Sequence, residues 1–161
     1  MSEWERPGAS DEWYTPHYIF EALGETFDLD VAAPIGGSLR VPARNWFAHD
    51  SLSRNWANDF IWMNAPFGGR NGLVPWLEKF SLHGNGIAVV PDRTSAPWFQ
   101  RFAPMMSAVL FISPKVKFER PNGSVGASPS SGTALFAAGD RARAALIRAR
   151  KLGWVVEGIS R

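Results

Sequence analysis

The sequence predicts an α/β fold, a mostly parallel sheet with helices on both faces, and three observations carry that prediction. Short apolar runs that suit buried strands recur at residues 60–63, 86–91 and 108–112. Helical patterns separate them: Leu73, Val74, Trp76, Leu77 and Phe80 fall at helical spacing, and Thr94-Ser95-Ala96-Pro97-Trp98-Phe99 opens another helix. The first run passes straight into Asn64-Ala65-Pro66-Phe67-Gly68-Gly69, an amide, a small residue, a proline, an aromatic and two glycines. A buried strand ends that way in a site-forming loop, and open α/β sheets bind ligands at the carboxyl ends of their strands. With 161 residues, 45% hydrophobic and 20% charged, the chain reads as a flexible lead-in at 1–10 and one domain over 11–161.

Taken in order, Asp11-Glu12-Trp13-Tyr14-Thr15-Pro16 precedes a helix carrying Tyr18, Ile19, Ala22 and Leu23. Thr15 is expected as its cap, Pro16 at its first position and Gly24 as its stop. The exposed amides of such a helix start suit an anionic group, although a plain surface helix explains the pattern equally well. Phe27-Asp28-Leu29-Asp30-Val31-Ala32-Ala33 alternates apolar and acidic residues and then turns small. A strand at 27–31 would put Asp30 at its carboxyl end, where an acid pairs with an ammonium or accepts from a hydroxyl, and Ala32 and Ala33 would let a ligand approach the backbone. Gly36-Gly37 continues the loop, with no dinucleotide-binding glycine pattern. Residues 38–58 read as irregular, with Asp50 a second lone carboxylate that suits a small polar ligand or simply solvent.

Downstream, residues 115–118, a glycine- and serine-rich loop at 121–132 and a run at 133–138 read as an antiparallel excursion. Lys115 and Lys117 would either clasp nucleic acid or form a solvated strand face. Asp140 is expected to cap a helix at 141–152 bearing Arg141, Arg143, Arg148, Arg150 and Lys151, and Gly153 to end it before an edge strand at 154–156. Those five cations either contact phosphates or line a solvated face, the latter being the default.

The absence of cysteine excludes disulfides, thiolate metal sites and a cysteine nucleophile, and His17, His49 and His83 lack metal-ligand spacing, so no metal is expected. There is no signal pattern and no apolar run of about 20 residues, so a cytoplasmic protein without membrane spans is expected. A net charge of +2 says little by its total, and the spread of arginines through loops and near the C-terminus lends weak support to a polyanionic partner. Eight Trp and eleven Phe are many for this size, most expected in the core and some in a pocket or surface that stacks bases.

Asn64 offers a carbonyl oxygen and an amino group side by side, Pro66 stiffens the loop and Phe67 presents a flat apolar face, a corner that suits a planar base with an exocyclic amine. An aromatic amine is a poor nucleophile because its lone pair is delocalised into the ring. Acceptors aimed at its hydrogens favour the reactive pyramidal form, and the Asn64 side-chain oxygen and the Ala65 carbonyl are the nearest candidates, with Phe67 stacked on the ring. An ordinary proline-glycine turn after a strand is the competing explanation.

In their order, Asp11-Glu12-Trp13-Tyr14-Thr15-Pro16, Asp28-Leu29-Asp30-Val31-Ala32-Ala33, Asp50-Ser51-Leu52 with Trp56, Asn64-Ala65-Pro66-Phe67, Val90-Pro91-Asp92-Arg93-Thr94 with Trp98-Phe99, and Val116-Lys117-Phe118 before Ser128-Pro129 resemble the phage-type DNA N-6-adenine methyltransferase (Dam) family over residues 11–139. The resemblance implies a Rossmann-like S-adenosylmethionine-dependent methyltransferase fold, with double-stranded DNA as substrate and a phage or prophage gene acting in the cytoplasm of a bacterial host, for instance in protection from restriction. It implies that Trp13, Tyr14, Thr15, Pro16, Asp30, Ala32 and Ala33 hold the cofactor's amino-acid end, that Asp50 lies near its adenosine and that Asn64, Ala65, Pro66 and Phe67 form the catalytic loop, Asn64 also facing the cofactor. Ala65 departs from the family's first proline, which puts the rigidity of that loop in doubt and leaves a weak or inactive nucleic-acid-binding relative as the alternative. The residues alone leave cytosine N-4 and RNA open as acceptors. With no separate recognition domain visible, base readout falls to loops such as 34–58 or 119–132, or to a homodimer partner.

Overall fold

The computed structural model describes residues 13–38, 40–66, 72–120, 122–126 and 131–160. The lead-in at 1–10, Asp11, Glu12, Phe67, Gly68, Gly69, Ser128 and Pro129 lie outside the described residues. Among the described residues four α-helices and seven strands follow one another as α1 (His17–Leu23), β1 (Phe27–Asp30), β2 (Ala43–Trp46), β3 (Ile61–Met63), α2 (Val74–His83), β4 (Gly86–Pro91), α3 (Pro97–Phe102), β5 (Ala108–Ile112), β6 (Thr133–Ala138), α4 (Asp140–Arg148) and β7 (Gly153–Val156). Among the described residues no helix is long and apolar enough to cross a membrane.

The strands form one sheet in the order β2-β1-β3-β4-β6-β5-β7. The fold is mixed α/β, and the expectation of a mostly parallel sheet is corrected. β2, β1, β3 and β4 pair in parallel, whereas β4 with β6, β6 with β5 and β5 with β7 pair antiparallel, and these ladders are the longer ones. Helix α2 supplies the crossover between parallel β3 and β4, β1 and β2 pair in parallel across residues 31–42 with no helix among the described residues there, and β6 runs antiparallel to β5. The expected strand at 115–118 does not form; there Val116 is buried in the core and only Glu119 makes isolated bridges, to Tyr14 and Val125.

Alternation along the central strands sends side chains to two cores. Phe60, Trp62, Ile87, Val89, Leu110 and Leu135 pack under α1 and α4, while Ile61, Met63, Ala88, Val90, Val109 and Phe136 pack under α2 and α3. Several of the aromatic residues are therefore core: Phe27 stacks on Phe60 at 5.1 Å, and Phe20 meets Trp62 edge-on at 4.7 Å. Each such pair adds about 0.5–1.5 kcal/mol beyond area burial.

Two expected caps are displaced by one residue. Pro16, extended at φ −60 and ψ 147, is itself the residue before α1, so Thr15 lies outside the helix and makes no capping bond. Gly139, at φ 92, precedes α4, so Asp140 sits in the first turn, where its charge still complements the helix dipole. Residues 38–58 are not wholly irregular, because they contain β2. Its Ala-Arg-Asn-Trp sequence is half-buried to exposed at the sheet edge and carries no apolar alternation to betray it.

Candidate active site

Because β1, β2, β3 and β4 run in parallel, their carboxyl ends share one edge of the sheet. Asp30 ends β1 and pairs with Trp62, and Asn64 follows directly from β3, so the two predicted site segments leave the sheet side by side. The exit of β1 is pinned from both sides: Val31 N–H donates to the Trp62 carbonyl at 3.0 Å, and Phe47 N–H donates to the Asp30 carbonyl at 2.9 Å. Asp30 is only 2% exposed. Its carboxylate accepts from Ala32 N–H at 3.1 Å and from the Ser38 hydroxyl at 2.7 Å. Burial raises its pKa, and the two hydrogen bonds, from neutral donors, pull the other way without cancelling the rise.

Thr15 and Pro16 reach the same edge. Tyr14 exchanges backbone hydrogen bonds with Glu119 at 2.8 and 3.0 Å, and Glu119 lies beyond the carboxyl end of β5. From there α1 runs back across the sheet to Gly24, which ends it at φ 63, and so to the start of β1. Arg40 braces this arrangement, ion-paired with Glu119 and lying 5.5 Å over the Tyr14 ring. Arg120 lies 4.9 Å over Trp13, and Gly126 lets the chain approach so closely that a Cβ there would sit 2.5 Å from the Trp13 indole. The segment 13–16 is thus tied to residues 119–126 by an isolated bridge at Tyr14 and by these packing contacts.

Two polar atoms near this face are buried without a partner, the Thr15 hydroxyl and the Trp62 indole N–H. Each costs about 1–3 kcal/mol if left unsatisfied, as does the third such atom among the described residues, the Ser81 hydroxyl on α2. Ala33 is buried and Ala32 half-buried, and their amides are taken, by Asp30 and by the Phe47 carbonyl at 3.0 Å.

Asn64 is half-buried, Ala65 is 2% exposed and packs into the core beneath α2 and α3, and Pro66 is exposed. Phe67, the expected stacking ring, lies outside the described residues. Asp50 does not end a strand. It sits four residues beyond β2, exposed, at φ 55, with its carboxylate 3.3 Å from His49 Nδ1.

Sequence reasoning missed Ser38, Arg40 and Glu119, which hold the candidate residues in place. No local pattern marks them: Ser38 looks like any loop serine, and Arg40 and Glu119 are 79 positions apart. It also missed Trp46, half-exposed and opposite Asp30 in the β1–β2 register. An open groove lined by Leu29, Asn45, Trp46, Phe47 and Asp59 lies along β2 and includes none of the predicted residues. We assign it no chemistry.

The basic helix α4 is largely committed inside the molecule. Arg148 donates to the Leu23 carbonyl at the end of α1, Arg141 pairs with Glu25 at 2.8 Å and lies 4.1 Å over Phe60, and Arg143 pairs with Glu157 at 2.9 Å. Three of the five cations considered for phosphate contact thus have structural partners.

The edge therefore gathers a buried carboxylate, a buried unpartnered hydroxyl and an amide with an adjacent carbonyl, groups that bind and orient. No curated protein and no solved structure matches the chain. A family model does match, over residues 5–146, and its span takes in both β1 with Asp30 and β3 with the Asn64 loop. Since that match covers most of its length, the chain belongs to the Dam family, described as DNA N-6-adenine-methyltransferase.

Proposed function

We propose that the chain transfers a methyl group from S-adenosylmethionine to the N-6 amine of adenine in double-stranded DNA. The observation that carries this reading is the pairing, at one sheet edge, of two buried polar side chains lacking full compensation, Asp30 and Thr15, with the exit of β3 at Asn64. The donor set fits the cofactor. An ionised Asp30 holds an ammonium, and that contact offsets the burial now raising its pKa. The Thr15 hydroxyl would bind the neighbouring carboxylate or amine of the same amino-acid end, beside Trp13 and Tyr14. The bound cofactor supplies an electrophilic methyl group on a sulfonium.

The chain's own part is orientation. Asn64 Oδ1 and the Ala65 carbonyl accept the two hydrogens of the amine, which frees its lone pair for in-line attack on the methyl carbon. The surplus proton on the methylated nitrogen would pass to solvent, since neither acceptor is basic enough to keep it. Phe67 stacks on the ring, which has left the duplex to reach the edge. Ala65, which stands where the family's first proline is expected, has its methyl group packed in the core.

The test is transfer of labelled methyl to unmodified duplex DNA with nucleoside analysis, for wild type and Asn64→Ala. Label in N-6-methyladenine that vanishes in the variant is the expected result. Label in N-4-methylcytosine would change the base, and label absent despite cofactor binding would favour the impaired relative.

A further inference from the structure

Ile35 is 86% exposed, yet it sits on a braced turn. Gly37 N–H donates to the Pro34 carbonyl at 3.0 Å, which places Ile35 and Gly36 at the corners, and Gly36 at φ +101 supplies the conformation such a corner needs. Both stems are fixed. Ala33 N–H donates to the Phe47 carbonyl, the Trp46 indole lies 3.0 Å from where a Gly37 Cβ would stand, and the Ser38 hydroxyl closes back on the Asp30 carboxylate. The turn leaves the sheet at the end of β1, beside the Asn64 exit of β3. Exposed Arg93, just past the end of β4 and next to half-buried Asp92, and exposed Lys117, just past β5, place cations at the same edge, and the turn itself carries no charge. Leu82 and Trp154, the other described side chains exposed to a similar degree, lie elsewhere, at the far end of α2 and on the edge strand β7.

We propose that Ile35 is a wedge that enters the DNA stack as the target adenine leaves it. This rests on the function proposed above, since only an extruded base leaves a gap to fill. Removing a base from the duplex exposes the flat faces of its neighbours and costs a few kcal/mol, and an apolar side chain inserted between base steps covers those faces. A β-branched side chain suits the task because its first torsion is already restricted and loses little entropy on insertion. The brace at both stems keeps it aimed while the duplex is pushed open.

The experiment compares wild type, Ile35→Ser and Ile35→Leu on two duplexes. One carries the adenine that the wild type methylates, fully paired, and the other has an abasic site opposite that adenine, which makes extrusion cheaper. Ile35→Ser is expected to lose roughly tenfold in kcat/KM on the paired duplex, on the order of 1.4 kcal/mol of the extrusion cost, and to recover on the abasic one. Ile35→Leu is expected to track wild type on both, and cofactor binding and melting are expected not to change. An equal loss on both duplexes would reassign the residue to holding the Asp30 turn, and no loss at all would also overturn the wedge; either result leaves methyl transfer itself intact. If the wild type methylates no adenine, the function falls and the wedge with it.

Discussion

The carboxyl edge of β1 and β3 and the outer face of α4 both carry polar and charged side chains, and they treat them in opposite ways. On α4, Arg141, Arg143 and Arg148 each find a carboxylate or a helix-end carbonyl while keeping about half their surface in water. At the β1 edge, Asp30 is nearly dry with only two neutral donors, and the Thr15 hydroxyl is dry with none. The first arrangement satisfies itself and is architecture. The second leaves a folding cost uncompensated, which is what the proposed binding role would offset.

Asn64→Ala cuts this contrast most deeply. The side chain is half-buried at a strand exit, so its loss should change melting by no more than about 0.5 kcal/mol while lowering kcat about 100-fold or more, as removal of an aligning polar group does. Melting curves and labelled-methyl transfer on the same preparation check both halves. Asp30→Asn comes next. Loss of a buried charge facing an ammonium should weaken cofactor binding by about 2 kcal/mol, roughly 30-fold, read as a missing thermal shift on adding cofactor.

The pH dependence of that pair follows from sign. A folded pKa above the unfolded one means that Asp30 favours the fold fully at low pH and loses that contribution as pH rises through the raised value. The ligand-free wild type should therefore lose stability across the acid range just above the ordinary carboxylate value, and Asp30→Asn should flatten that portion of the curve. A wild-type curve that rises there instead would mean that hydrogen bonds from Ala32 and Ser38 outweigh burial.

Much of this architecture was legible locally. The runs at 86–91, 108–112 and 133–138 became β4, β5 and β6 with those bounds, because each is apolar on both faces and stopped by turn residues. Asp30 at a strand end was readable from a different pattern, the alternation of apolar and acidic residues that turns small at Ala32 and Ala33. The antiparallel return at 133–138 was legible as an excursion, but its place between β4 and β5 inside the sheet was not, since no residue of β6 specifies that pairing. Nor was β2, whose exposed Arg44, Asn45 and Trp46 carry no pattern, nor the Arg40–Glu119 brace, which exists only once the sheet has brought distant loops together. The two caps failed by a single position, where Pro16 and Gly139 took the places expected for Thr15 and Asp140.

Thr15→Val sharpens the comparison more gently. It keeps the shape of the side chain and removes a hydroxyl that has no partner, so the ligand-free protein should be unchanged or more stable by about 1 kcal/mol. Cofactor affinity should fall about fivefold, the equivalent of one neutral hydrogen bond, by calorimetric titration. A destabilised ligand-free protein would show that the hydroxyl serves the fold.

Arg148→Ala tests the other side and should have the smallest functional effect. Its guanidinium donates to the Leu23 and Gly24 carbonyls, which α1, ending at Gly24, leaves without helical partners, and it approaches Glu25 at 3.9 Å. The side chain is 48% exposed, so solvent screens the ion pair and the loss should be no more than about 1 kcal/mol. DNA affinity and its dependence on salt should stay as in wild type. A phosphate contact would behave otherwise, lowering affinity for all sequences alike and reducing the salt slope by about one. That outcome would move α4 from the self-satisfied region to the binding face and erase the contrast between the two.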